Sequence, residues 1–195
     1  LSMILSLCRN TYTGSVSLKS GNWVKNGGFE LTNKIVGIIG FGNIGKDLSY
    51  LLQPFAVKIL AYDIDESVFT TEYGSVQIST FEEIIKTCDI LSFHVPLNQK
   101  TKNMINSDNI SNLKKGVILI NTARGGIIEE SALIQGLENG VLGGVGIDAY
   151  VVEPPHESKL LNFANTICTP HIGGNSFEAV QKMGMAAING LILQS

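Results

Sequence analysis

The sequence predicts an α/β fold, a doubly wound parallel sheet with helices on both faces. Three observations carry that prediction. Short apolar runs recur along the 195 residues without the polar alternation of half-exposed strands, as expected of strands buried on both sides. Segments of helical spacing separate these runs. Among the 21 glycines, one cluster stands directly between a run and the helix after it.

Taken in order, Met3, Ile4, Leu7 and Cys8 share one helical face within residues 1–13. Neither a capping residue nor an initiator methionine precedes them, so the chain is expected to begin inside an element. Residues 14–30 are polar and glycine-rich, carry the only tryptophan, Trp23, and read as an extended arm. Residues 34–39 form an apolar run that fits a buried strand. Ile44, Leu48, Leu51, Leu52 and Phe55 then mark a helix that stops near Pro54. Residues 57–62 read as a second strand. Thr80 to Glu83 is a capping box opening a helix through Ile84 and Ile85. Residues 89–94, 116–121 and 143–148 are further strands, with a helix around 129–139, ended by Gly140, between the last two. A short strand at 166–168 precedes a final helix that opens at 175–178 and aligns Val180, Met183, Ala187 and Leu191 on one face.

Composition narrows the functions. With 44% hydrophobic and 16% charged residues the chain has the material for a core and is not disordered. A net charge of −3 argues against nucleic acid as a partner, since phosphate binding wants a basic face. No apolar stretch is long enough to span a bilayer, and the first residues make a poor signal peptide. Three cysteines without a Cys-x-x-Cys pair point to a reducing, cytoplasmic setting. The spacing of Cys168 and His171 resembles half a metal site, but no second ligand pair accompanies it, and no metal is expected.

The glycine cluster is Gly40-Phe-Gly42-Asn-Ile-Gly45, a G-x-G-x-x-G directly between strand and helix. The first glycine permits a tight turn, the second lets backbone approach a pyrophosphate, and the third lets helix and strand pack closely. Gly40 to Lys46 also fits most of a triphosphate-binding loop. Asp47 stands where that loop needs a hydroxyl for magnesium, so the dinucleotide reading is kept and the fold is expected to be of Rossmann type. Asp63 ends the next strand, 18 residues past Gly45, where a carboxylate accepts the ribose hydroxyls of an adenosine. Asp65 and Glu66 follow it, with no adjacent arginine to neutralise a 2′-phosphate, so NAD is expected over NADP.

Three polar residues follow three different strands: Arg124 after 116–121, Glu153 after 143–148 and His171 after 166–168. In a parallel sheet all three emerge on the carboxyl edge that carries the glycine loop. A cation, an acid and an imidazole together suit oxidation of an alcohol beside a carboxylate. Arg124 would grip the carboxylate with its fork, His171 would take the hydroxyl proton, and Glu153 would pair with His171 and orient it. His94 also ends a strand, but the apolar residues before it favour a packing role. His156, in a proline-rich loop, is expected to be solvated.

These segments together resemble the D-isomer-specific 2-hydroxyacid dehydrogenases, and among them the phosphoglycerate dehydrogenases most of all. The resemblance runs through the glycine loop, His94-Val-Pro-Leu, Asn121-Thr-Ala-Arg-Gly-Gly, Gly146-Ile-Asp-Ala-Tyr and Thr169-Pro-His-Ile-Gly-Gly. It implies that Asp148 accepts from the nicotinamide carboxamide and that Asn43 and Ile44 meet the pyrophosphate. It also implies that Val95, Thr122, Ala123, Arg124, His171, Gly173 and Gly174 line the dinucleotide site. The implied substrate is a small 2-hydroxy or 2-oxo acid such as 3-phosphoglycerate. The implied assembly is a homodimer, with the arm around Trp23 reaching over its partner. Residues 1–30 would form an inter-domain helix and dimerisation arm, and residues 31–195 the NAD-binding domain. A second, substrate-binding domain, supplied by the chain's two ends in the family, is expected to be missing, leaving this chain alone nearly inactive. The alternative is an NAD-binding dimerisation or regulatory module without catalysis, which would have no need of the Arg124, Glu153 and His171 set.

Overall fold

The computed structural model describes residues 1–69 and 76–192, of which residues 191 and 192 are described by backbone alone. Seven parallel strands form one sheet: β1 (Ile35–Ile39), β2 (Lys58–Tyr62), β3 (Val76–Ile78), β4 (Ile90–Phe93), β5 (Val117–Asn121), β6 (Leu142–Ile147) and β7 (Thr166–Cys168). Their order across the sheet is β3-β2-β1-β4-β5-β6-β7. The chain therefore works outward from β1 in one direction, returns, and works outward in the other from β4. The order reverses between β1 and β4, and the carboxyl ends of these two neighbours mark where a ligand crevice is expected.

Both faces of the sheet are covered. On one side Val36, Ile38, Ile59, Ala61, Ile118 and Ile120 pack under α1 (Ser2–Cys8) and α3 (Asn43–Leu52). On the other, Ile39, Leu60, Leu91, Phe93, Leu119 and Val145 pack under α4 (Phe81–Thr87) and α5 (Glu130–Glu138). Adjacent residues of one strand thus enter opposite cores, which is why the strands read as unbroken apolar runs. α1 lies close on β6 because Gly144 and Gly146 leave it room. A Cβ at Gly146 would stand 3.0 Å from the Met3 sulfur, and one at Gly144 would stand 3.1 Å from Leu7.

The structure corrects one expectation and adds to the sequence reading in two places. The opening helix breaks at Arg9 and Asn10, and a second helix, α2 (Thr11–Lys19), takes up the first part of the expected arm. Asn10 adopts φ 50°, a left-handed conformation that asparagine tolerates, and so turns the chain. Strand β3 is an addition that the sequence pattern does not announce. On α6 (Phe177–Ile192), Val180 and Met183 stand 49% and 58% exposed, so their shared face is not packed on the sheet, and the side chain of Leu191 lies outside the described residues. No helix among the described residues is long and apolar enough to cross a membrane.

Candidate active site

At the crevice, Gly40 turns the chain at φ 94° directly after β1. A Cβ there would lie 2.7 Å from the carbonyl carbon and oxygen of His94, which follows β4, so only glycine lets the two loops touch. At Gly45 a Cβ would meet the Gly40 carbonyl at 2.2 Å, closing helix on strand. Gly42 differs, since nothing lies within 4 Å of the place its Cβ would take. It begins α3 without a side-chain cap, so the first-turn amides of Asn43 and Ile44 face an open approach. This open N-terminus beside a closed turn fits an incoming pyrophosphate.

Asp63 braces the same loop. Its Oδ2 accepts from the Phe41 amide at 2.7 Å and its Oδ1 from the Asp65 amide at 3.0 Å. Each oxygen keeps a second acceptor position, so holding the loop and holding a ribose are compatible. Ile44, His94, Val95, Thr122, Ala123 and Arg124 line a groove of about 600 Å³ beside it. A second cavity of about 250 Å³ includes Ile44, Thr122, Asp148, Thr169 and Gly173 in its lining. His94 borders both. Its Nε2 lies 2.8 Å from the Ser92 hydroxyl, and loss of water around the half-buried ring pushes its pKa down to about 4.

Arg124, Glu153 and His171 converge on one cleft of about 680 Å³. Asn121, 2% exposed at the end of β5, holds the Arg124 loop: its Nδ2 donates to the Arg124 carbonyl at 2.9 Å and its Oδ1 accepts from the Ala123 amide. Arg124 itself is exposed and donates to the Ala123 carbonyl, close to its own backbone. The next residue, Gly125, lies flush against the chain after β6, where a Cβ would meet the Tyr150 carbonyl carbon at 2.0 Å.

Nδ1 of His171 faces the Glu153 carboxylate at 3.0 and 3.1 Å. That leaves Nε2 for the cleft. Glu153 also accepts from the Tyr150 amide at 3.0 Å, and this bond first, then His171, holds its pKa below the usual carboxylate range. His171 has φ 53°, a left-handed conformation costing a non-glycine residue of the order of 1 kcal/mol. Asp148, 2% exposed, keeps the segment there. It accepts from the Thr169 hydroxyl, from the Ile172 amide at 2.9 Å and from the Gly173 amide at 2.7 Å.

The sequence-predicted residues thus fall into two groups, joined through Ile44, Thr122 and Arg124. Gly40, Gly42, Asn43, Gly45 and Asp63 form the glycine-loop end; Arg124, Glu153 and His171 form the other. Gly174 is exposed just beyond the second. His156 is exposed, and the Cys168 thiol contacts the Tyr150 hydroxyl. Sequence reasoning misses Asn121, Thr169 and Tyr150 as individual residues. A polar residue ending a wholly apolar strand, as Asn121 does, is the signal that could have found the first of them.

Residues 1–173 match the family model described as D-isomer specific 2-hydroxyacid dehydrogenase, NAD binding domain. Hydroxypyruvate reductase from Thermotoga maritima is 39% identical over 195 residues, 96% of this chain and 62% of that protein. D-3-phosphoglycerate dehydrogenase from Bacillus subtilis is 40% identical over 183 residues, 91% of this chain and 34% of that protein. The chain therefore spans less than two thirds of the length of these curated relatives. The NAD complex of a formate dehydrogenase from Staphylococcus aureus superposes with a TM-score of 0.88 at 30% identity, covering 96% of this chain and 57% of that one. By sequence and by fold, the chain belongs to the NAD-binding-domain family of the D-isomer-specific 2-hydroxyacid dehydrogenases.

Proposed function

We propose that this chain provides the cofactor-binding part and the proton-transfer groups of an NAD-dependent enzyme interconverting a small D-2-hydroxy acid and its 2-oxo acid. The observation that carries the proposal is the His171–Glu153 pair at 3.0 Å in the cleft that also holds Arg124. A module that only binds NAD has no need of that arrangement. Bound NAD supplies the acceptor for the substrate hydride in oxidation and the donor in reduction. The guanidinium of Arg124 holds the substrate carboxylate and the oxygen on the adjacent carbon. Nε2 of His171 takes the hydroxyl proton during oxidation and returns one during reduction, while Glu153 fixes the ring and balances the charge it gains. Gly40, Gly42 and Gly45, with the amides of Asn43 and Ile44, receive the pyrophosphate, and Asp63 the ribose. Asp148 already accepts three bonds, which leaves one acceptor position, on Oδ2, for a nicotinamide carboxamide. Val95, Thr122, Ala123, Gly173 and Gly174 complete the walls.

Residues 1–30 act in this reading as inter-domain helix and dimerisation arm, with 31–195 the NAD-binding domain. The working unit is a homodimer, since Tyr12, Val16, Leu18 and Trp23 present apolar surface, Trp23 at 75% exposure. The free thiols Cys8, Cys88 and Cys168 suit a reducing, cytoplasmic compartment. Hydroxypyruvate and 3-phosphoglycerate, taken from the relatives' names, are the first substrates to assay. His171→Ala in the full-length gene product is expected to lower kcat by about 10²–10⁴ while the Kd for NAD stays within twofold. Undiminished turnover by that variant, or no turnover by the parent on any 2-hydroxy acid, refutes the reading.

A further inference from the structure

Tyr150 serves no step in the proposed function, yet the loops of all three proposed groups meet at it. Its amide donates to Glu153 Oε1 at 3.0 Å, the oxygen that lies 3.0 Å from His171 Nδ1. Its hydroxyl donates to the Thr169 carbonyl at 3.0 Å; the Ile147 carbonyl, at 3.4 Å, is the poorer acceptor for the single phenolic proton. The Thr169 carbonyl is also the acceptor for the His171 amide, at 2.9 Å, across Pro170. One oxygen thus anchors the His171 backbone, and Tyr150 anchors that oxygen. The Arg124 loop reaches the same residue through Gly125, whose missing Cβ lets the two backbones touch.

We propose that Tyr150 is a positioning residue that sets His171 against Glu153, gripping the acid through its amide and the histidine segment through its hydroxyl. The inference rests on the proton-transfer role of His171. A left-handed histidine on an exposed loop needs bonds from more than one side to hold its ring to a single partner. Asp148 binds the segment at the Thr169 hydroxyl and the Ile172 and Gly173 amides, and Tyr150 adds a bond at the Thr169 carbonyl, the oxygen that accepts from the His171 amide. Burial raises the Tyr150 phenol above its ordinary value, so it stays a neutral donor across the working range. Asp148, Glu153 and the Cys168 thiol are the titratable groups that face it.

Tyr150→Phe removes the hydroxyl and keeps both the ring and the amide. Two measurements test it. In this chain, the Nδ1 proton of His171, assigned by its loss in His171→Gln, is expected to give an NMR signal shifted by the carboxylate. In Tyr150→Phe that signal is expected to broaden or vanish, with the methyl spectrum of the core unchanged. In the full-length gene product, kcat is expected to fall by about tenfold, the loss of about one hydrogen bond, with the KM for the acid and the Kd for NAD within twofold. Replacing Tyr150 by p-aminophenylalanine, which restores a donor at the same place, is expected to restore both signal and turnover. An unchanged His171 signal in Tyr150→Phe overturns the proposal. A loss confined to KM or to NAD affinity, or no rescue by the amino variant, also overturns it. If the parent turns over no 2-hydroxy acid while the signal still responds, the catalytic reading falls and the positioning role stands.

Discussion

Replacing Asp148 by Asn changes one atom at the point that ties down the Thr169–Gly173 segment. The side chain is 2% exposed and accepts three bonds, two on Oδ1 and one on Oδ2. An amide in that position keeps its oxygen for the Thr169 hydroxyl and the Ile172 amide. Its NH₂ must then face the Gly173 N–H, donor against donor. The lost bond was to a charged group, worth about 1.5–3 kcal/mol, and the stranded amide costs about 1–3 kcal/mol if it stays buried. Partial opening of the loop relieves some of both, so the expected loss is about 2–4 kcal/mol. At this chain length each kcal/mol lowers the melting temperature by about 2–4 °C, giving a drop of roughly 4–16 °C. Scanning calorimetry on the parent and Asp148→Asn, in the same buffer, measures it. The His171 Nδ1 proton signal is expected to broaden in the same variant, because the Thr169–Gly173 segment loses its inner anchor. A shift under 2 °C with that signal intact would show that the segment does not depend on Asp148, and the three bonds to its carboxylate could not be what holds His171 in place.

Asp63→Ala is expected to weaken NAD binding and to bring the NAD and NADP affinities together, measured by calorimetric titration. Equal affinities in the parent would already remove the assignment of the ribose to Asp63. His94 resists protonation in the native state down to about pH 4, whereas the unfolded chain protonates it near 6.5. Stability is therefore expected to be complete above pH 6.5 and to fall as the pH drops from 6.5 towards 4. Urea midpoints for His94→Gln should lose that part of the slope, and an unchanged slope refutes it. Light scattering at micromolar concentration is expected to give a dimer, and Trp23→Asp a smaller species. A clean monomer of 21.0 kDa from the parent counts against the apolar arm as an interface.

Most strands of the sheet are legible in the sequence because each feeds two cores. Val36 and Ile38 enter one layer and Ile39 the other, so the run needs no polar residue and stands out from its surroundings. β3 is not, for the converse reason. It pairs only with β2 at the sheet edge, and Gln77 and Ile78 are exposed, so burial imposes no pattern on its three residues. α2 escapes for a related reason: none of its residues is buried and no side chain caps it, so neither of the signals that mark a helix start or face is present. Helical spacing does find the shared face of Val180 and Met183, but spacing tells which residues lie together and not whether anything covers them.

The candidate site divides the same way. Arg124, Glu153 and His171 are readable because a parallel sheet sends every strand's end to one edge, so position after a strand already implies proximity. The distance between Nδ1 and Glu153 is not readable, since it depends on a left-handed residue held by a buried aspartate that acts across 21, 24 and 25 residues of chain and by a tyrosine hydroxyl that acts across 19. Topology brings chemical groups to a common edge, and only bonds of this kind bring them to hydrogen-bonding distance. A misplacement of about 1 Å can cost about 10²-fold in rate. On the proposed reading Asp148, Thr169 and Tyr150 set that last ångström; Asp148 also faces the cofactor, so it is replacement of Tyr150 that should lower kcat while leaving the cofactor in place.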